Sequence, residues 1–239
     1  MFCYFLILTR SMNHKLYATA ILAMTADGKI SDRNLAAARF GSGNDKIHLE
    51  KQVSLADGVL FGAGTLRAYG TTMSVSDPQL LQERSRRSQQ SQPVQIVVSR
   101  SANFDPQRRF FQQSVPRWLL TTAEGASLWY DTAYFERIII CRSDKNERAI
   151  DWSEAFTRLG ELGLQKLAVL GGAELLASLL AVDLIDELWL TICPLILGGD
   201  APSLVGGKGW LQDRGKRMQL LEVKQIEGEV FLHYRVIKQ

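Results

Sequence analysis

The most constraining stretch of this chain is KLAVLGGAELLASLL, residues 166–180. Five apolar-rich residues form a buried-strand pattern, two glycines follow, and a dense apolar helix pattern starts at once. A strand running straight into a helix through glycines is the junction of a parallel α/β sheet. Glycine lets the backbone approach a ligand closely. The first turn of a helix offers unpaired N–H groups and the positive end of its dipole, which suits a phosphate. Gly171 and Gly172 therefore either line a nucleotide site or simply make a tight turn.

A second junction repeats the pattern. Asp57 to Phe61 reads as a short buried strand, and Gly62-Ala63-Gly64-Thr65 follows it. Thr65 can cap the next helix or bond a phosphate oxygen. Two such junctions at the carboxyl edge of one sheet suit the two ends of a dinucleotide. Neither is a G-x-G-x-x-G fingerprint, and neither has the Gly-Lys-Ser/Thr of a P-loop. Ser99-Arg100 follows a third buried strand, Val94 to Val98. Arg100 is either a solvated surface cation or the partner of a phosphate, including the 2′-phosphate that distinguishes NADP. Asp27, in the Asp-Gly turn after the apolar run Tyr17 to Met24, is either a turn residue or an acid at the mouth of the cleft.

The remaining chain fits an α/β architecture. Further strands are expected at 117–121, 137–141 and 187–193, and helices at 42–56, 152–162 and 173–181, with Ser42 or Asn44 capping the first. Residues 218–225 and 230–238 should pair as an antiparallel edge around Glu227-Gly228. The polar stretch 74–93 reads as loop or partial helix, a natural place for a mobile flap. Residues 1–14 read as an N-terminal extension, with Met12 a rival start, ahead of a single domain at 15–239. The apolar run at 1–9 is too short to span a membrane.

Composition narrows the function classes. With 239 residues, 46% hydrophobic and 22% charged, the chain can bury a sizeable core. A net charge of only +3 argues against a nucleic-acid protein. Cys3, Cys141 and Cys193 form no disulfide framework, and the scattered His14, His48 and His233 offer no zinc spacing, so no metal is expected. The reducing cytoplasm is the expected compartment.

Asp27-Gly28-Lys29-Ile30 after an apolar strand, then ADGVLFGAGTL, VVS and LGGAELLASLL, then LIDELWLTICPLILGG, together resemble the C-terminal reductase domain of the bifunctional riboflavin protein RibD and its free-standing relatives. The resemblance runs over residues 16–237 and is most specific over 167–199. It implies a dihydrofolate-reductase-like α/β fold: a mainly parallel central sheet flanked by helices, with an antiparallel C-terminal edge. It also implies a homodimer and NADPH reduction of a phosphoribosylamino-pyrimidine, in which the ribose opens and becomes a ribityl chain.

Carried over residue by residue, Ala23, Thr65, Ser99, Arg100 and the loop Gly171, Gly172, Ala173, Glu174, Leu175 and Leu176 match cofactor positions. The catalytic candidate is Asp27. On the substrate side the match is thinner. Leu170 stands where the riboflavin enzymes carry a Glu, and Ala38-Arg39-Phe40 replaces their Ser-x-Trp segment. Asp77, Leu80 and Arg84 are the candidates for the acidic pair and following residues, across an insertion. Arg39, Asp77 and Arg84 are thus the expected substrate contacts. A reductase of another heterocycle, such as a pterin or dihydrofolate, and an NADP-binding sensor without catalysis are the alternatives. The deaminase half of the bifunctional protein has no counterpart here, so another chain would deaminate.

Overall fold

The computed structural model describes residues 15–141 and 150–238; the expected extension at 1–14 lies outside them. Nine strands form one sheet. They are β1 (Tyr17–Thr25), β2 (Gly58–Gly62), β3 (Val94–Val98), β4 (Arg117–Thr121), β5 (Arg137–Ile140), β6 (Lys166–Val169), β7 (Glu187–Cys193), β8 (Arg217–Ile226) and β9 (Glu229–Ile237), in the order β5-β4-β3-β2-β6-β1-β7-β9-β8. The first seven in that order pair in parallel, and β9 and β8 add an antiparallel edge. The helices are α1 (Gly43–Leu55), α2 (Ala63–Tyr69), α3 (Pro78–Arg86), α4 (Ala123–Ser127), α5 (Trp152–Glu161) and α6 (Ala173–Ala181).

Alternation along the central strands sends side chains to two cores. On β2, Leu60 packs with Val169, Leu175, Leu176 and Leu159 on one face. Val59 and Phe61 pack with Val53, Leu66 and Phe110 on the other. Burial on both faces explains why the parallel strands read as nearly continuous apolar runs. Ser42 caps α1, its Oγ accepting from the Asn44 and Asp45 amides, so the cap is Ser42 rather than Asn44.

The polar stretch 74–93 departs from the flap expectation. Asp77 caps α3, with Pro78 as its first residue, and Val75 is buried. The Glu50 carboxylate accepts from the Ser76 and Asp77 amides and the Ser76 hydroxyl. Arg84 is 1% exposed. Its Nη1 donates to the Ser54 and Ala56 carbonyls at 2.8 and 2.7 Å, and its Nε to those of Gln90 and Ser91 at 2.9 and 3.2 Å. A carbonyl at the end of α1 lacks an intrahelical donor, and this guanidinium supplies one. The segment is clamped to the body of the protein.

Candidate functional site

Strands β2 and β6 are neighbours, so their carboxyl ends bring the two glycine junctions together. The Gly62 amide donates to the Gly171 carbonyl at 2.9 Å, making the two junctions one continuous surface. Gly171 has φ +95°, and a Cβ there would lie 3.2 Å from Leu22. This position needs glycine for conformation and for space. Gly172 differs. Its φ is −89°, which any residue adopts, and a Cβ would sit at ordinary contact distance, 3.7 Å from the Thr65 Oγ1. Protein geometry does not require glycine at 172; a ligand lying on the loop would.

These junctions form one wall of a cavity of about 1170 Å³. Thr65, Ser99, Arg100, Gly172, Ala173, Glu174 and Leu175 all line it. The cofactor candidates thus largely converge, although they are drawn from three separate strand ends. The N–H groups of Ala173, Glu174 and Leu175, in the first turn of α6, have no acceptor within the helix. Helix α2 begins at Ala63 with Gly62 as its cap residue, so Thr65 is not a cap but a first-turn residue whose hydroxyl faces the cavity. The Ser99 Oγ accepts from the Ala102 amide at 3.0 Å and fixes the turn after β3. The Arg100 carbonyl accepts from the Thr121 and Thr122 hydroxyls, holding its backbone while the side chain stays exposed.

Other candidates lie elsewhere. Ala23 sits within β1, paired with Thr191, and does not line the cavity; nor does Gly171, which stands behind Gly172. Leu176 is 2% exposed and turns into the core. Among the expected substrate residues, Arg84 is the structural clamp described above, Asp77 is a helix cap, and exposed Arg39 is off the cavity lining, although its neighbour Ala38 is on it. Asp77 and Arg84 are therefore corrected from substrate contacts to structural residues.

Asp27, the catalytic candidate, is not among the residues that line the cavity. Its carboxylate accepts from the Thr25 hydroxyl at 2.5 Å and from the Leu197 and Gly198 amides at 3.2 and 2.7 Å. The Thr25 bond above all, with the Gly198 amide, lowers its pKa to about 2. Its carboxylate is ionised near neutral pH and anchors the segment after β7.

The opposite wall comes from residues that local patterns do not single out. Ile30, Ser31 and Leu35 follow the Asp27 turn, and Pro202 lies on the long connection after β7. Arg67 and Tyr69 project from α2, the Tyr69 hydroxyl donating to the Ala38 carbonyl at 3.1 Å. Ile150 and Trp152, at the start of α5, complete the enclosure. Cys141 and Cys193 are free and buried, and burial pushes their thiols up to about 11 and about 12, so neither is a nucleophile near neutral pH. Among the described residues no group of three or more His, Cys, Asp and Glu is placed to hold a metal, and no helix is long and apolar enough to cross a membrane.

A parallel sheet with an antiparallel edge and a long cleft at its carboxyl end defines a dihydrofolate-reductase-like α/β protein. The chain is similar to a dihydrofolate reductase from Enterococcus faecalis complexed with NADP(H), with TM-score 0.52 and 14% identity over 93% of this chain and 97% of the other. It is more similar to a pyrimidine reductase-like protein from Corynebacterium diphtheriae, with TM-score 0.76 and 20% identity over 95% and 94% of the two chains. The profile of the RibD C-terminal domain matches residues 17–232, and the chain belongs to that family. A relative from Methanothermobacter thermautotrophicus, a 2,5-diamino-6-ribosylamino-4(3H)-pyrimidinone 5′-phosphate reductase, is 29% identical over 199 residues, 81% of this chain and 85% of its own length.

Proposed function

We propose that this protein is an NADPH-dependent reductase of riboflavin biosynthesis, acting in the cytoplasm on 2,5-diamino-6-ribosylamino-4(3H)-pyrimidinone 5′-phosphate or the corresponding aminouracil. The observation that carries this is that one cavity has the paired glycine junctions as one wall and, opposite them, the 30–38 segment with Pro202, α2 and the start of α5. The cavity volume of about 1170 Å³ exceeds the about 300–1,000 Å³ of ordinary ligand sites, room that suits a dinucleotide beside a second ligand. The named relative supports the substrate class.

The residues present fit the cofactor. The open space over Gly172, the free first-turn amides of α6, the Thr65 hydroxyl and the Arg100 guanidinium form a cradle for phosphates. A reduced nicotinamide held there would supply a hydride to the carbon of the C1′=N bond that ring opening of the ribosylamine exposes, with a proton going to the nitrogen. The chain's own residues bind and orient. Thr65 and the α6 amides hold the pyrophosphate, and Arg100 takes the 2′-phosphate. The apolar side chains of Ile30, Leu35, Ile150 and Trp152 exclude water from the cleft.

A second copy of the chain covers the far edge of the sheet. Met218, Leu220 and Val223 on β8 are all about half exposed, and a symmetric dimer is the commonest way to bury such an edge. Sedimentation at micromolar concentration should give twice the chain mass.

The test of function is oxidation of NADPH followed by absorbance, with the phosphoribosylamino-pyrimidinone, the aminouracil and dihydrofolate as separate substrates. Turnover of either ribosylated pyrimidine with none of dihydrofolate is expected. Turnover of dihydrofolate alone would overturn the reading.

A further inference from the structure

The connection between β7 and β8 crosses the mouth of the cavity as a strap, and both of its ends are tied by charged side chains. At the near end, Asp27 accepts from the Leu197 and Gly198 amides. The Lys29 ammonium donates to the Gly199 and Ala201 carbonyls at 2.9 Å each. In the middle, Ile30 donates to the Pro202 carbonyl and Leu204 to the Gly28 carbonyl. Pro202 forms part of the cavity wall. At the far end the strap lies flat on the first turn of α6. The Gly206 amide donates to the Ala173 carbonyl at 3.1 Å, and the Gly207 amide to the Glu174 Oε1 at 2.9 Å. A Cβ on Gly206 would collide with the Glu174 carboxylate and lie 3.2 Å from the Ala173 carbonyl carbon. While the Glu174 carboxylate holds its place, it leaves no room for a side chain at 206.

Glu174 is an odd choice for this position if it serves a phosphate directly. A carboxylate favours the bare N-terminus of a helix, but beside a bound pyrophosphate it repels. Its oxygen is instead committed to the strap.

We infer that the Glu174 side chain has a positioning role: by holding Gly206–Gly207 against the first turn of α6, its carboxylate sets the wall of the cofactor cleft without itself touching the cofactor. This rests on the cofactor reading above. The strap joins the turn at 26–30 to the glycine loop at 171–174, so its far latch fixes both walls of the cavity relative to each other.

The oxygen and the charge of Glu174 separate cleanly. Glu174→Ala removes the acceptor. Glu174→Gln keeps the acceptor and removes the charge. Gly206→Ala puts a methyl where the Glu174 carboxylate lies and so breaks the latch from the strap side. The measurements are NADPH titration by fluorescence and amide deuterium exchange over residues 204–209 in cofactor-free protein. Glu174→Ala and Gly206→Ala should each weaken NADPH binding about three- to tenfold, the range for losing one hydrogen bond of ordinary strength, and should speed exchange at Gly207. Glu174→Gln should exchange as wild type and bind NADPH at least as tightly, since a repelling charge is gone. If Glu174→Gln binds as poorly as Glu174→Ala, the carboxylate acts on the ligand directly and the inference is wrong. Unchanged exchange at Gly207 in Glu174→Ala would remove the latch whatever the cofactor does. Wild-type protein that exchanges as expected yet never binds NADPH would overturn the cofactor reading instead, with the latch intact.

Discussion

The two walls of the cavity are built differently. The cofactor wall is made at strand ends: β2 into α2, β3 into its turn, β6 into α6. Each contribution is a run of adjacent residues, and hydrogen bonds such as that from Gly62 to Gly171 join the runs. The substrate wall is assembled from pieces far apart in sequence: the turn after β1, the side of α2, the start of α5 and the strap at 202. A wall made of local junctions can be read from adjacent residues. A wall made of long-range contacts cannot, because its members share no spacing.

The largest effect that would test this contrast is at Gly172. The φ of −89° and the room beside Thr65 mean that a side chain fits the protein but occupies the cradle. Gly172→Val should leave the thermal midpoint near wild type and abolish saturable NADPH binding. A lowered midpoint with normal binding would return Gly172 to the role of a turn residue and remove the cofactor wall's main support.

Arg84 tests the other side. Four backbone carbonyls accept from its guanidinium; a truncated side chain takes that donor from Ala56, Gln90 and Ser91, while the Ser54 carbonyl keeps the Arg87 guanidinium. Arg84→Ala should cost about 2–4 kcal/mol of unfolding free energy in a denaturant titration, the range for losing charged hydrogen bonds in a buried site. The protein that remains folded should keep its KM for the pyrimidine. A raised KM at unchanged stability would restore Arg84 to the substrate wall.

The reason for that misassignment is physical. Helix α3 starts at Asp77-Pro78, a good cap and first residue, but among its Arg, Ser and Gln only the adjacent Leu80 and Leu81 mark a packed face. Much of what holds it lies far away in sequence: the Arg84 cation meets carbonyls about thirty residues earlier in the chain, and Glu50 takes the amides before the helix, contacts with no periodicity. The central strands were legible for the opposite reason: burial on both faces writes itself into consecutive apolar residues at Val94–Val98 and Lys166–Val169. Glycine junctions were legible too, yet the sequence pattern could not separate Gly171, which the backbone requires, from Gly172, which it does not. Trp152 and Pro202 carried no local signal at all, since only the closing of the fold brings them to the cavity.

A middle-sized effect is expected at Arg100. It lines the cavity next to Ser99, and no ion pair to it is formed among the described residues. Arg100→Ala should weaken NADPH binding about tenfold, a charge-assisted pair being about 1.5–3 kcal/mol and this one solvent-exposed. NADH binding should change little, because only NADPH carries the 2′-phosphate. Equal losses for both would place Arg100 on the pyrophosphate instead.

The smallest effect is expected at Asp27, and it decides whether either wall holds a titrating acid. A general acid or base contributes about 10²- to 10⁴-fold to rate, and its removal shows in the pH profile. Asp27, held near a pKa of about 2 by the Thr25 hydroxyl and the strap amides, is ionised throughout the working range. Asp27→Asn keeps one oxygen for the strap, so kcat should fall by less than about tenfold, with no pH limb lost between 5 and 8. The linkage has a definite sign. The folded pKa of about 2 lies below the ordinary 3.8, so the contribution of Asp27 to stability is complete above that ordinary value and is lost as pH falls toward 2. The difference in unfolding midpoint between wild type and Asp27→Asn should therefore be constant above about pH 5 and shrink below about pH 4. A difference that instead grows on acidification, or a kcat limb near neutrality that vanishes with the substitution, would mean that the carboxyl is protonated in the working enzyme and belongs to the chemistry rather than to the anchoring of the strap.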